Sequence, residues 1–217
     1  MSSKIIAFLV VLALASVPVV MGQSSETVEM MLIRENSTSS NRDRNMMALE
    51  LLEKAAGRGN VTDEMYTAFE RLMFSGSSNR AMSGGRVANG FPDVRRETAR
   101  QLGKVGTQQA RNILIKASQS ETDPLAMYEI INSLGAINAD DNGRTVATIV
   151  WVVGRFHRAP APDNHIAMAA VNSLGLIADR DRNSISREAF LYLYEVEKGP
   201  YVPAVKDRAR EVIGVLR

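Results

Sequence analysis

The apolar positions of this chain recur with the period of a helix, and one helical pattern repeats along its second half. The phrase Asn-Ser-Leu-Gly occurs at Asn132–Gly135 and again at Asn172–Gly175, and weaker copies end at Gly103 and Gly214. Small or apolar residues stand nine and five positions before each glycine: Val94, Ala126, Ile166 and Val205, and Thr98, Ile130, Ala170 and Ala209. A motif that recurs in register is typical of a helical repeat array, in which each unit buries its apolar face against its neighbours.

Closely spaced helices are predicted after residue 92. Their expected ranges are 93–105, 107–120, 124–137, 142–157, 164–178, 185–198 and 202–216. Asp123 before Pro124 marks a helix start, because the carboxylate caps free amides and proline costs no hydrogen bond at the first position. Asn164 and Ser184 are weaker candidate caps. The 142–157 helix is apolar nearly all round, so we expect it to be the most buried.

The first 22 residues have the features of a secretory signal peptide. Lys4 supplies a positive start, Ile5 to Ala15 form an apolar run, and Val20-Met21-Gly22 gives a small-residue cleavage pattern before Gln23. The alternative is an uncleaved N-terminal anchor, which normally needs roughly 20 apolar residues. We therefore predict an exported protein of the periplasm or cell envelope, whose contact with a membrane is limited to this segment if it is uncleaved.

Three further segments precede the repeats. Residues 23–44 are predicted to form an N-terminal linker, and residues 45–74 a leading helix pair whose second helix begins after Thr62. Residues 75–92 are predicted to form a Gly/Ser-rich loop. A loop of this length is either a solvated insertion between repeats or a segment that becomes ordered on a partner.

Charge and cysteine content exclude several classes of protein. Removing residues 1–22 deletes only one basic residue, Lys4, and leaves 25 basic against 24 acidic residues. This balance does not favour nucleic acid, which usually selects a basic excess. The chain contains no cysteine, so a disulfide framework and a cysteine-linked lipid anchor are both excluded.

The first copy of the pattern resembles a known repeat. Its residues Asp93-Val94-Arg95-Arg96, Ala99, Leu102-Gly103 and Val105-Gly106 are similar to the V-R-x-x-A-A-x-A-L-G-x-I-G core of bacterial HEAT-like repeats, the type also found in phycobilin lyases. The later copies have Met127, Ala167 and Lys206 in place of Arg95. The resemblance covers residues 93–217 and implies an all-α fold, a short right-handed α-solenoid of stacked antiparallel helix pairs.

The resemblance also implies a binding surface. In this family the helix with the V-R…L-G motif generally lines the concave face of the solenoid, which is the usual ligand surface. Carried over by register, the outward positions are Arg96, Arg100, Tyr128, Glu129, Asn132, Met168, Asn172, Arg208 and Glu211. Tyr and Arg supply much of the energy at protein interfaces, so this row is a candidate protein-binding site. The alternative is that the asparagines are solvated surface residues or form hydrogen bonds at helix ends.

Candidate chemistry is sparse in this sequence. His157 and His165 with Asp163 could be drawn as a metal site, but zinc ligands usually have tighter spacing. The remaining acidic pairs fall in predicted turns, where Asp is favoured for turn and cap reasons. There is no phosphate-binding loop or nucleophile motif. We therefore predict no enzyme activity, no cofactor and no metal.

These features predict a non-catalytic binding or scaffolding module of the bacterial cell envelope that presents a helical surface to a partner protein. Two alternatives remain open at this point. One is a structural subunit of a periplasmic assembly, such as a motility or secretion apparatus, that self-associates through end helices. The other is an envelope enzyme or small-ligand carrier, which predicts a deep pocket enclosing several of Glu129, Arg96, Asp163 and the histidines. Phycobilin lyase activity is not expected of an exported protein.

Overall fold

Helices make up most of the computed structural model of this chain, which describes residues 20–77, 82–83, 85–87, 90–138, 143–157 and 162–217. In these ranges the α-helices are α1 Val20–Ser37, α2 Arg42–Gly57, α3 Asp63–Phe74, α4 Pro92–Val105, α5 Gln108–Ser120, α6 Pro124–Ala136, α7 Arg144–His157, α8 Asn164–Arg180, α9 Arg187–Lys198 and α10 Pro203–Leu216. A 3₁₀ turn covers Arg182–Ser184. The seven helices predicted after residue 92 are present, with bounds within two residues of those expected.

Successive helices alternate between two layers. Helices α2, α4, α6, α8 and α10 pack side by side and form what we call the first layer, whereas α3, α5, α7 and α9 form the second layer. Helix α1 packs on both α2 and α3 at the N-terminal end. A continuous core, made mainly of small and aliphatic side chains, runs between the layers. The all-α prediction of an α-solenoid of stacked helix pairs is therefore confirmed.

Glycines allow neighbouring helices of the first layer to pack very closely. A Cβ atom added to Gly103 would lie 2.6 Å from Ser133 Oγ, and one added to Gly135 would lie 2.4 Å from Ser173 Cβ. The Ser173 hydroxyl donates to the backbone oxygen of Ile131 at 2.9 Å. At Gly103 and Gly135 the Leu-Gly motif thus marks where one helix crosses the next at very short distance. Contacts between helices within the second layer are less extensive.

Arginines of later helices donate hydrogen bonds to backbone oxygens at the C-terminal ends of earlier helices. Arg155 of α7 donates to the backbone oxygen of Ser118 in α5 at 3.1 Å. Arg180 of α8 donates to the backbone oxygens of Gly135 and Ala136 in α6 at 2.6 and 3.1 Å. The last carbonyls of a helix lack an intrahelical partner, so these guanidinium groups satisfy acceptors and place positive charge at the negative helix end.

A buried ion pair lies between α4 and the turn before α6. Arg95, the arginine of the V-R motif, is 5% exposed and Glu121 is 2% exposed. Arg95 Nε and Nη2 donate to the two carboxylate oxygens of Glu121 at 2.6 and 3.0 Å, and Nη1 donates to the Ser75 backbone oxygen. Glu121 also accepts from the backbone N–H groups of Thr122 and Asp123. The motif arginine therefore has a structural role inside the array.

The N-terminal region differs from its prediction. Residues 23–44, expected to be a linker, lie mostly in α1 and in the start of α2. Asn41 of this segment caps α2, and the backbone oxygens of Asn36 and Ser39 accept from the side-chain amide of Asn45, the next residue after the segment. Most of the predicted signal, residues 1–19, lies outside the described residues, and α1 begins at Val20. No described helix combines the length and the apolar character needed to cross a bilayer.

The predicted 75–92 loop contains a short hairpin. Met82–Ser83 and Arg86–Val87 pair as two antiparallel strands, β1 and β2, around Gly85, whose φ of +78° is easily adopted by glycine. The sequence offered no strand alternation at this place, because two paired residues are too few to produce a pattern. Apart from Pro92, which begins α4, the described remainder of this segment is not helical.

Two expectations about helix starts and burial are wrong. Asp163 and Ser186, and not Asn164 and Ser184, cap α8 and α9. Helix α7 is not the most buried, because Trp151 is 50% exposed in the second layer with the Arg155 guanidinium 5.1 Å from its ring. The aromatic residues of α9 lie in different environments, since Tyr192 is buried and Tyr194 is exposed.

Candidate protein-binding surface

The predicted surface residues all lie on the first layer. Helix α4 carries Arg96 and Arg100, α6 carries Tyr128, Glu129 and Asn132, α8 carries Met168 and Asn172, and α10 carries Arg208 and Glu211. None of the nine is buried. Their helices are consecutive neighbours in this layer, so the side chains form one row along the array. We call these nine residues the first-layer row.

A charged cluster occupies the N-terminal end of this row. Arg100 Nε donates to Glu97 Oε2 at 2.8 Å, and Gln101 Nε2 donates to Glu97 Oε1 at 3.1 Å. The charges of Arg96 and Arg100 also act on Glu129 across the helix boundary. Helix α4 thus presents two cations, one of which is held in place by a carboxylate of its own helix.

Partial burial raises the pKa of Glu129, and the neighbouring carboxylate of Glu97 adds to the rise. The positive charges of Arg100 and Arg96 act in the opposite direction but do not cancel it. Burial also acts to raise the pKa of Glu97, but hydrogen bonds from Arg100 and Gln101 outweigh it and the net pKa is lowered. Two adjacent carboxylates therefore have pKa values displaced in opposite directions.

A second cluster lies at the C-terminal end of the row. Arg208 Nε donates to Asn172 Oδ1 at 2.9 Å, and Arg208 Nη1 donates to Glu211 Oε2 at 2.9 Å. Gly175 provides the space for this arginine, because a Cβ there would lie 3.1 Å from Arg208 Nη2. The structure thus brings together three of the predicted residues, and Asn172 acts as a positioning hydrogen-bond acceptor.

Between the two clusters the row is less polar. Tyr128 and Met168 are partly buried and pack against the core. Asn132 occupies the same register as Asn172 one repeat earlier, but no hydrogen bond joins the two side chains in the described part of the chain. This part of the row therefore combines an aromatic ring, a thioether and an amide, and the fixed arginines lie on either side of it. Mixed surfaces of this kind are found at protein interfaces.

Glu97 was not predicted as part of this surface. Its place three residues before Arg100 and four before Gln101, on one face of a helix, could have indicated the contact, because side chains at these spacings are neighbours. The raised pKa of Glu129 could not have been inferred in this way, since it depends on packing between helices that are distant in sequence.

The residues considered for metal binding have other roles. Asp163 Oδ1 accepts from the backbone N–H groups of His165 and Ile166 at 2.8 and 3.1 Å, so it is the cap of α8. His165 is exposed, and the side chain of His157 lies outside the described part of the structure. Across the described ranges no group of three or more His, Cys, Asp or Glu side chains could hold a metal ion.

Replacing Glu129 with glutamine is expected to stabilise the protein at neutral pH. Because its pKa is raised on folding, wild-type stability is lost as the pH rises through the folded pKa, and an uncharged amide avoids that loss. The gain should stay below about 1 kcal/mol at this partly exposed site and should vanish at acidic pH. Urea unfolding at both pH values tests this, with Glu211→Gln as an exposed control. A gain that grows as the pH falls would contradict the prediction.

Comparisons with known proteins agree with this architecture. Residues 86–151 match the family of HEAT repeats. A solved structure, the complex of CpcE and CpcF of phycocyanin lyase from Nostoc sp. PCC7120, has a similar fold with a TM-score of 0.57 at 20% sequence identity. The match covers 86% of this chain and 64% of that chain. No curated protein matches this sequence. At this identity the likeness to the solved structure concerns the fold alone.

Proposed function

We propose that this protein is a non-catalytic scaffold that binds a partner protein through the first-layer row. The observation that carries the proposal is the placement of all nine row residues on consecutive helices of one layer, with none of them buried. Two findings support a protein as the ligand. Residues of this chain match HEAT repeats, and the similar solved structure is a complex of two proteins. The lyase activity of that neighbour is not carried over, because a shared fold does not imply a shared function.

The mechanism is rigid presentation of side chains. The crossings at Gly103 and Gly135 keep the helices of the first layer in close contact, so the backbone under the row is well supported. Arg100 and Arg208 are held by Glu97 and by Asn172 with Glu211 before any partner arrives. A surface ordered in advance loses less conformational entropy on binding, and more of the contact energy is available as affinity.

The cell envelope is the compartment we propose for this interaction. The support is the signal-like sequence of residues 1–22, with Lys4 ahead of the apolar run Ile5 to Ala15. The absence of cysteine is compatible with export, since the fold does not depend on thiols staying reduced. Mass spectrometry of the N terminus of the purified protein tests this part of the proposal: Gln23 is the expected first residue after cleavage.

The partner surface is best tested by site-specific photocrosslinking in cells. With a photoreactive phenylalanine at position 128, in the centre of the row, we expect one specific adduct. The same probe at Trp151, which is exposed on the second layer, should give none. Combining Asn132→Ala with Asn172→Ala should weaken the adduct, whereas the exposed second-layer pair Leu191→Ala and Tyr194→Ala should leave it unchanged. An adduct formed only from position 151 would contradict the proposal.

Self-association is a second candidate, favoured by one observation. Helix α1, at the N-terminal end of the array, exposes Val28, Met31 and Leu32 at 55, 56 and 44%. These residues are spaced as one stripe of a helix, and an apolar stripe at the end of an array is a surface that another chain can cover. A photoreactive residue at position 31 that yields an adduct of twice the chain mass, with none from position 128, would assign the function to self-assembly.

A further inference from the structure

Helix α6 presents three polar side chains at the centre of the first-layer row, those of Tyr128, Glu129 and Asn132. In the described part of the molecule these side chains make no hydrogen bond. All three are partly exposed, and none of their polar atoms is among the fully buried unpaired ones. At about 100° per residue, Asn132 lies one turn after the other two and between them in direction. The three side chains therefore leave the helix on one side and are accessible to a partner.

The charged residues on either side of α6 are different, because most of them are already paired. Arg100 Nε donates to Glu97 Oε2 at 2.8 Å, and Arg208 Nη1 donates to Glu211 Oε2 at 2.9 Å. Each of these pairs compensates its own charge. Arg96 has no such pair within the described ranges, but it is exposed, and a solvated cation gains little from an ion pair.

The carboxylate of Glu129 is partly buried and unpaired. Arg100 and Arg96 act on it through their charge alone, and the charge of Glu97 opposes them. Because packing has already removed part of its hydration, a cation that binds this carboxylate has less of its desolvation to overcome. The same burial raises the pKa of Glu129, so its charged form lowers the stability of the fold. Charged groups kept at a cost in stability are concentrated at functional sites.

The surface around Glu129 is an open row and is not part of the cavity at the ends of the leading helices. That cavity has a volume of about 630 Å³ and lies between α2, α3 and the C-terminal end of α4. Glu129, Arg96, Asp163 and His165, which a small-ligand carrier was expected to enclose, do not line it. Small-molecule sites bury most of their ligand, so the open row is better suited to a side chain of a larger partner.

We propose that Tyr128, Glu129 and Asn132 bind an arginine side chain of the partner protein. This inference rests on the proposed function and names the chemistry of its central contact. A guanidinium group donates two parallel hydrogen bonds to a carboxylate and also stacks on an aromatic ring. Glu129 supplies the carboxylate, Tyr128 the ring and Asn132 Oδ1 a further acceptor. A lysine, which is a point charge, would use the carboxylate alone.

Peptides that differ in one side chain test this chemistry. An acetylated and amidated alanine–arginine–alanine peptide has nearly the same shape as its citrulline analogue, but only the arginine is charged. In NMR titrations of the purified protein, the arginine peptide should shift the ring signals of Tyr128 and the side-chain amide signals of Asn132. The citrulline peptide should bind at least about fivefold more weakly, because its hydrogen bonds are not charge-assisted. Arg96→Gln should tighten binding of the arginine peptide, since it removes a repelling charge.

Glu129→Gln separates binding from stability. This variant should lose the preference for arginine over citrulline, although it is expected to be more stable than the wild type at neutral pH. Unfolding therefore cannot account for its loss of binding. Glu211→Gln is the matched control, because it removes an exposed carboxylate of the same row, and it should retain the preference.

Three results would overturn the inference: equal binding of the arginine and citrulline peptides by the wild type, an unchanged preference in Glu129→Gln, or tighter binding of an aspartate analogue than of the arginine peptide. If one of these accompanies a specific photocrosslinked adduct from position 128, the scaffold function stands and only the arginine contact fails. The absence of any adduct from position 128 would instead contradict the scaffold function, and the arginine contact with it.

Discussion

Replacing Glu121 with alanine is expected to lower the free energy of unfolding by about 3–5 kcal/mol, because it leaves a buried guanidinium without its carboxylate. Arg95 and Glu121 are 5% and 2% exposed and share two hydrogen bonds. The substitution also removes the acceptor for the backbone N–H groups of Thr122 and Asp123 at the start of α6. Chemical denaturation followed by circular dichroism measures the loss.

A matched carboxylate provides the control. Glu70 pairs with Lys116 at 2.5 Å near the surface, where the two side chains are 44% and 64% exposed. Glu70→Ala should cost less than about 1 kcal/mol, as exposed ion pairs do. The double variant Arg95→Met with Glu121→Leu should recover part of the loss, since neither charge is then left alone. If Glu121→Ala cost no more than Glu70→Ala, the buried pair would not be a determinant of stability.

Substituting alanine for Gly135 is expected to have the second large effect. The added Cβ would lie 2.4 Å from Ser173 Cβ and 2.6 Å from Ser173 Cα, so the backbone of α8 must move away from α6. Overpacking of this kind typically costs 1–3 kcal/mol and sometimes more. It should exceed the helix-propensity gain of roughly 1 kcal/mol that alanine brings. Because the clash involves backbone atoms, we expect the upper end of this range, about 3 kcal/mol, and therefore a net loss of about 2 kcal/mol, measured in the same way.

The same motif supplies the opposite control. Gly214 stands at the equivalent position of the fourth copy, but a Cβ there would meet nothing within 4 Å. Gly214→Ala should therefore leave the free energy of unfolding unchanged or raise it by up to about 1 kcal/mol. The same substitution at two equivalent glycines would thus lower the free energy of unfolding at one position and not lower it at the other. Equal effects at the two positions would show that close helix approach is not the reason for the glycine at 135.

The helices were predictable because most of them carry local signals. Asp123 and Thr62 cap their helices as expected, and the position of Pro124 marks the start of α6. The linker prediction failed for a physical reason, because polar residues of this segment, Asn36 and Asn41, accept hydrogen bonds where α1 meets α2 and so stabilise helical structure there. The exposure of Trp151 could not be inferred from its apolar neighbours, since it depends on how loosely the second layer packs.

The candidate sites were predictable to different degrees. Repeat register was sufficient to place nine residues on one layer, because equivalent positions of stacked units recur along an array. Register could not show that Arg208 is fixed by Asn172, which requires the distance between α8 and α10.

The hydrogen bonds from arginines to the ends of earlier helices restrict how such an array can gain or lose repeats during evolution. Arg155 and Arg180 donate to carbonyl groups at the C-terminal ends of α5 and α6. The last carbonyl groups of each of these helices are therefore bound by a residue of the unit that follows it. The units are therefore interlocked and do not behave as interchangeable modules. Deleting or inserting a unit at these junctions exposes helix carbonyls unless the new neighbour carries arginine in the same register. Lengthening of the array by repeat duplication is thus restricted to duplicated units that contain an arginine at the equivalent position.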